Sequence, residues 1–424
     1  MSKLCAGFGE RIITPPLGVD LCGYGFYLDR KAEAVLDDLK VRVLFLSDGT
    51  TTLLLVACDL IGFTVEFSDR LRADMAEALG LPFSHVLLAC THTHSGPATQ
   101  ALPGLGDVDG AYMKNVETRI VEAAEEAAGH PEEAECRSAF EAVEPIGYNR
   151  RSKDFRDIDP WLKAAAFRTK SKKIFLLNYA CHAVVLGRSK GVSADWPGAW
   201  IREVERAGAK AVFFQGYCGD IDPVTQANRW GQGTSEDLRL YGDLLKRRLD
   251  KAGAYAEVQA GPGLAAVEKR IRIPLDIWTK RDIEREAAAF EKKYAQFPGA
   301  ERFAKEWKKE ALATYRARRK APFLENVPLQ ALAIGRLKML ALPGEIFCGI
   351  GLKLQKALGP FVPIGYANGS IGYVPSRAAY RDRSDYACYC APMFYQGFPF
   401  APEIEGIILR ESRGVLKAIG SYSV

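Results

Sequence analysis

The chain has 424 residues, 48% of them hydrophobic and 26% charged, with a formal net charge of +5. That is the composition of a globular protein with an ample core, and its slight, dispersed positive excess argues against a nucleic-acid partner. No run approaches the roughly 18 to 20 uninterrupted apolar residues of a membrane span, and residues 1–10 lack the apolar stretch of a signal peptide, so the expected location is cytoplasmic.

The first half alternates strand-like and helix-like stretches. Residues 41–46, the Asp48-Gly49 turn signal and residues 53–57 predict a hairpin. A helix follows over 69–79 with Gly80 placed to end it, then a buried strand over 85–89. Residues 112–128 carry Val116, Ile120, Ala123, Ala124 and Ala127 at helical spacing, and Gly129 closes that helix. Strands at 164–168 and 174–179 precede a helix with Pro197 in its first turn, a strand at 211–214 and a helix from 235 to about 251. This is an α/β layout, in which ligands collect at the polar loops after strand ends.

Residues 278–319 are charge-dense and helical, within an insertion of about 276–322, and read as an arm that serves as a lid or a packing element. Strand-like pattern resumes over 329–342 and runs into Pro343-Gly344-Glu345, ahead of a helix over 346–358. There is no internal repeat. The ten cysteines are scattered and none forms a CxxC pair, so they read as reduced, structural thiols in a reducing compartment.

Several chemistries are absent. There is no P-loop and no G-x-S-x-G elbow, and Gly349-Ile350-Gly351 lacks the third glycine of a dinucleotide fingerprint. Histidine is the informative residue. Of five in the chain, three fall in two polar loops after apolar strands: Cys90-Thr91-His92-Thr93-His94-Ser95-Gly96-Pro97, and Leu177 to His182. In extended backbone, i and i+2 point to one side, so His92 and His94 can face a single cleft. A lone loop histidine is usually a satisfied backbone partner. An H-x-H pair joined by a second strand-end histidine points instead to metal binding or catalysis, with a carboxylate commonly completing the site.

Those residues also carry a resemblance. Thr91-His92-Thr93-His94-Ser95-Gly96-Pro97 resembles the signature of the neutral and alkaline non-lysosomal ceramidases. Other pieces follow in the same order: Gly23-Tyr24-Gly25, Asn149-Arg150, a strand ending in His182, Phe214-Gln215-Gly216 with Gly219-Asp220, Pro343-Gly344-Glu345, and Ala367-Asn368 with Gly372-Tyr373-Val374. The resemblance implies an α/β, mixed-sheet catalytic domain of neutral ceramidase type over residues 1–424, carrying the helical insertion. The family's carboxy-terminal immunoglobulin-like domain has no counterpart in this sequence.

It also implies one catalytic zinc ion per chain, Zn2+, with ligands His92, His182, Glu345 and Tyr373, and with His94 and Arg150 lining the site. Neutral imidazoles and a carboxylate suit zinc, and a divalent cation favours the phenolate of a tyrosine. Tyr373 has the alternative of hydrogen-bonding to an oxygen on the metal, and Glu345 that of a carboxylate at a helix N-terminus. Asp195 is placed to cap a helix or to support a ligand histidine from behind. Asp59 and Asp220, after apolar strands, carry the same ambiguity. Arg150 reads as the anchor of a substrate carbonyl or carboxylate.

The implied activity is zinc-dependent hydrolysis of an amide or ester bond in a small-molecule substrate. Metal-activated water would attack, with His94 as acid–base, Arg150 as oxyanion support and Tyr373 beside the metal. The alternatives are a lyase or isomerase that uses the same zinc, or a non-catalytic metal-binding homologue. One position departs from the family. Where ceramidases carry a serine two residues after the Gly-Asp pair, this chain has Asp222, which points away from ceramide towards a smaller, more polar substrate. Asp222 is then expected to hold a substrate group or to shape the turn. Nothing in the sequence specifies an oligomeric state.

Overall fold

The computed structural model describes residues 3–259, 263–395 and 397–420. Its three larger sheets share one build: an antiparallel meander of three strands, a crossover helix, and a fourth strand that joins the meander's last strand in parallel. In the first, Cys5–Ile12, Lys40–Ser47 and Thr52–Cys58 form the meander, Val65–Leu79 is the helix and Val86–Cys90 the parallel strand. In the second, Glu135–Ala142, Trp161–Arg168 and Lys173–Tyr179 lead through helix Asp195–Arg206 to Lys210–Gln215. In the third, Leu264–Pro274, Phe323–Ile334 and Leu337–Ala341 lead through helix Cys348–Leu358 to Val362–Ile364. Parallel neighbours cannot be joined by a tight turn, so each unit needs its crossover.

Buried residues from all three sheets, among them Leu44, Leu87, Leu176, Phe214, Met339 and Ile364, form one core cluster. Because the sheets share that core, the loops leaving their parallel strands meet. Backbone hydrogen bonds join them directly: Cys90 donates to Tyr366 O at 3.2 Å, His94 to Ala183 O at 3.2 Å, Gly365 to Gln215 O at 2.9 Å, and Gly219 to Ile346 O at 2.9 Å. The site is built on this junction.

Local signals set the helix ends. The helix expected from residue 69 begins at Val65, because the Thr64 hydroxyl accepts Phe67 N–H, and it ends on Gly80 at φ 63°. The helix Gly110–Gly129 opens on Asp109, whose carboxylate accepts Ala111 and Tyr112 N–H. Thr234 and Asp237 form a capping box at the head of Ser235–Gly253.

The charge-dense arm is two helices, Lys280–Lys293 and Ala300–Lys320, inserted between the first two strands of the third sheet. Their inner faces bury Ile283, Phe290, Phe303 and Trp307. Phe26 stacks on Phe303 at 5.5 Å, and Phe303 on Phe394 at 4.3 Å. A fully buried aromatic contributes roughly 1.5–3 kcal/mol, so these helices are packed onto the body. The stretch 329–342 divides at Gly335 into two antiparallel strands. All ten cysteines are free thiols, nine of them buried. No described helix is long and apolar enough to cross a membrane.

Candidate metal centre

Each sheet delivers one strongly acidic or imidazole side chain to the junction. His92 follows Val86–Cys90 and adopts φ 63°, a left-handed conformation that a residue other than glycine occupies only under constraint. That twist aims Nδ1 at Ile61 O, 2.6 Å away. His182 follows Lys173–Tyr179, with Nδ1 2.7 Å from Cys218 O. A carbonyl oxygen only accepts, so both Nδ1 atoms carry a proton, and in the neutral imidazoles both Nε2 atoms present bare lone pairs.

Those lone pairs face a carboxylate. Glu345 Oε2 lies 3.1 Å from His182 Nε2 and 3.5 Å from His92 Nε2. His94 Nε2 is 3.1 Å from His92 Nε2, and ligand atoms of the three imidazoles lie within 4.8 Å of one another. His92, His182 and Glu345 are all buried. Burial alone would raise the Glu345 carboxyl, but once protonated the His92 and His182 imidazoles outweigh it and hold it well below the usual carboxylate range. Acceptor atoms crowded this closely repel unless a proton or a metal cation lies among them. Imidazoles oriented from behind by carbonyls, beside a buried carboxylate, are the donor set that zinc takes, so these residues fit that ion.

Glu345 occupies the short strand Glu345–Ile346 and does not cap the following helix, which begins at Cys348. Asp220 serves that terminus, accepting Cys348 N–H on Oδ1 at 2.8 Å and Asn149 Nδ2 on Oδ2 at 3.0 Å. Gly219, just before it, passes so close to Glu345 that a Cβ there would lie 2.3 Å from the Glu345 carbonyl oxygen.

Tyr373 pairs in register with Glu345 through the parallel strand Tyr373–Val374. Its hydroxyl oxygen accepts Arg150 Nη2 at 2.9 Å. Burial raises the Tyr373 phenol well above its ordinary pKa, and Arg150 pulls against it. Arg150 donates also to Gly219 O at 2.8 Å and to Asp222 Oδ1 at 3.2 Å. Asp222 is thus the counter-ion of Arg150, a role outside the two expected for it. Arg150, for its part, is committed to internal partners on three sides. The pairing of Ile221–Pro223 with Gly147–Asn149 brings the two together.

His94 belongs to the same cluster of three imidazoles, but its Nδ1 is buried and has no hydrogen-bond partner. Its ring packs edge-on to Tyr24 at 5.3 Å and lines a cavity of about 590 Å³ shared with Arg150, Asp222 and Tyr373. Burial, and then the neighbouring His92 and His182, hold His94 well below the usual imidazole pKa, so the ring is neutral.

Sequence reasoning missed three supports of the site. Tyr395 donates its hydroxyl to Glu345 Oε1 at 3.0 Å. Tyr366 stacks on His92 at 3.9 Å. Gln215, in the Phe214-Gln215-Gly216 string, donates to Thr91 O at 3.2 Å and accepts Cys181 N–H at 3.3 Å, tying both histidine loops together. Asp195 does not support a ligand imidazole, since carbonyls already hold the Nδ1 atoms. It accepts the N–H groups of Val185, Leu186 and Trp196 at 2.9, 3.0 and 2.8 Å, fixing the loop after His182. Asp59 pairs with buried Arg42 at 2.7 Å.

No family model matches the chain, and no curated protein matches it in sequence. Solved structures do match. The neutral ceramidase from Pseudomonas aeruginosa superposes with a TM-score of 0.73 over 97% of this chain and 74% of that one, at 18% identity. The fold is of the neutral ceramidase type. A ceramidase complexed with C2 gives a TM-score of 0.74 over the same shares, at 16% identity. The neutral ceramidase-like fold accounts for the mixed sheets seen here, and identities this low speak to fold alone.

Proposed function

We propose that this protein is a zinc-dependent hydrolase that cleaves an amide or ester bond in a small or moderately polar substrate. The observation that carries the reading is the pair of bare imidazole lone pairs, on His92 and His182, turned onto the buried Glu345 carboxylate beside a cavity. His92, His182, Glu345 and Tyr373 would hold the ion. The Tyr373 oxygen accepts from Arg150 and keeps a lone pair for this purpose. A zinc ion held there supplies Lewis-acid polarisation of a carbonyl and makes water a stronger acid.

The remaining work falls to the chain's own groups. Neutral His94 takes a proton from the attacking water and returns it to the leaving nitrogen or oxygen. Arg150, held still by Asp222 and Gly219 O, presents positive charge where the oxyanion develops. The ceramidase neighbours support the reaction class. Asp222 and the cavity of about 590 Å³, a size suited to a small organic ligand, support a substrate other than long-chain ceramide. A mass-read screen of zinc-loaded protein against N-acyl amines, N-acyl amino acids, esters and lactones tests this. Release of an acid with an amine or alcohol is expected; an unsaturated product, or efficient release of sphingosine from ceramide, would contradict it.

A further inference from the structure

Three guanidinium groups line the cavity: Arg150, Arg151 and Arg188. Two are neutralised within the protein, Arg150 by Asp222 at 3.2 Å and Arg151 by Asp385 at 2.6 Å. Arg188 is not. Among the described residues no carboxylate lies within ion-pair distance of it, and the Phe297 ring is its side-chain neighbour, 5.9 Å from the guanidinium carbon. Arg188 is exposed, but its backbone is held in place. Its N–H donates to Gly231 O at 2.8 Å, beside a bridge between Gly187 and Gln232. Its stem lies along Gly231, where φ is 74° and an added Cβ would come within 3.0 Å of Arg188 Nε. The same loop leaves His182 and is pinned by Asp195.

A buried hydroxyl sits next to it. The Tyr24 hydroxyl is buried, has no hydrogen-bond partner of normal geometry, and lies beside the Gly187 N–H, one residue from Arg188. Burial raises its pKa well above the ordinary value, so it remains a donor. Behind the Tyr24 ring, 4.9 Å away, is Arg30, buried and donating only to the carbonyls of Cys22, Gly23, His94 and Ser189. This flank of the cavity therefore carries the Arg188 guanidinium and a hydroxyl donor, with no carboxylate bonded to either and the Arg30 charge behind the Tyr24 ring. A buried donor left unmatched costs about 1–3 kcal/mol, a cost that a ligand acceptor would remove.

We propose that Arg188 and the Tyr24 hydroxyl form a carboxylate-binding subsite, so that the substrate is an amide or ester bearing a free carboxylate. The arginine fork matches a carboxylate in two parallel hydrogen bonds, and Tyr24 supplies a further donor. Tyr24 packs on His94, so an acid group held here leaves the rest of the molecule beside the acid–base histidine. The inference rests on the hydrolase reading for the bond cleaved, and not for the binding.

Binding is therefore measured apart from turnover. N-acyl amino acids of graded side chain, each with its neutral carboxamide, are titrated calorimetrically into zinc-loaded protein, then followed by mass for cleavage. The best free acid is expected to bind about 10- to 100-fold more tightly than its carboxamide. Arg188→Gln should reduce that preference to a few-fold at most, Arg188→Lys should restore part of it, and Tyr24→Phe should weaken the acid about 3- to 10-fold. Tyr24→Phe should change the thermal midpoint little, because the hydroxyl has no hydrogen bond of normal geometry to lose. Acids that never outbind their carboxamides, or a preference that survives Arg188→Gln, would overturn the subsite. Arg188-dependent acid binding without any cleavage would uphold the subsite and overturn the hydrolase reading instead.

Discussion

Replacing Asp222 tests how the site holds Arg150. The pair is largely withdrawn from water, with side-chain exposures of 22% for Arg150 and 3% for Asp222. Removing one partner of a buried pair costs about 3–5 kcal/mol. Arg150 keeps Gly219 O and Tyr373, so the lower end, about 3 kcal/mol, applies to Asp222→Asn. At roughly 2.1 cal/mol/K of unfolding entropy per residue, 424 residues give about 0.9 kcal/mol/K, so the thermal midpoint should fall by about 3 °C. Asp222→Ser restores the hydroxyl of the ceramidases but leaves the guanidinium unanswered, and should fall at least as far. Scanning calorimetry of Asp222→Asn, Arg150→Gln and the double variant isolates the pair: a coupling of about 2 kcal/mol is expected. Turnover should drop about 10-fold in Asp222→Asn with zinc content unchanged, because Arg150 loses its orientation. Additive midpoints within about 0.5 kcal/mol would refute the counter-ion role.

Gly219→Ala would set a Cβ 2.3 Å from Glu345 O and 2.7 Å from its carbonyl carbon, so the Glu345 strand must move; zinc affinity, measured by chelator competition, should fall about 10-fold or more. Wild-type affinity in that variant would contradict the close approach. His94→Ala should lower turnover by about 100-fold or more on whichever substrate the screen finds, and a change confined to KM would argue against acid–base work. Asp48 accepts N–H groups of Thr50, Thr51 and Leu264, and although burial raises its carboxyl, bonds from Thr51 and Leu264 outweigh it and hold the pKa below 3.8. Its charge therefore stabilises the fold above that pH and ceases to as pH falls through the lower folded value. Asp48→Asn should cost about 1 kcal/mol at pH 7, with the gap from wild type closing on acidification; an equal gap at pH 7 and pH 3 would show that charge plays no part.

Much of this was legible in the sequence, and the limits have physical causes. Strands such as Thr52–Cys58 and Lys210–Gln215 are buried on both faces and read as apolar runs. Cys5–Ile12 carries two glycines beside the helix Gly110–Gly129, and Glu135–Ala142 and Leu264–Pro274 interleave charge with apolar residues; those strands gave no such signal. The repeated meander–helix–strand build lies in topology and leaves no repeat in sequence. The histidine pair announced itself because its spacing and strand-end position are local. Arg150, by contrast, acquires its setting only from Asp222 and Tyr373, far away along the chain. Arg188 was invisible for the opposite reason, since an absent partner can be read only in three dimensions.

The central claim is that His92, His182 and Glu345 hold a zinc ion while His94 does not. Elemental analysis of purified protein and of its His92→Ala, His182→Ala, Glu345→Gln and His94→Ala variants, each dialysed against the same trace zinc, tests it most directly. Close to one zinc per chain is expected in wild type and in His94→Ala, with the other three variants largely stripped. Full zinc occupancy in His92→Ala and His182→Ala, or loss of zinc from His94→Ala alone, would contradict it.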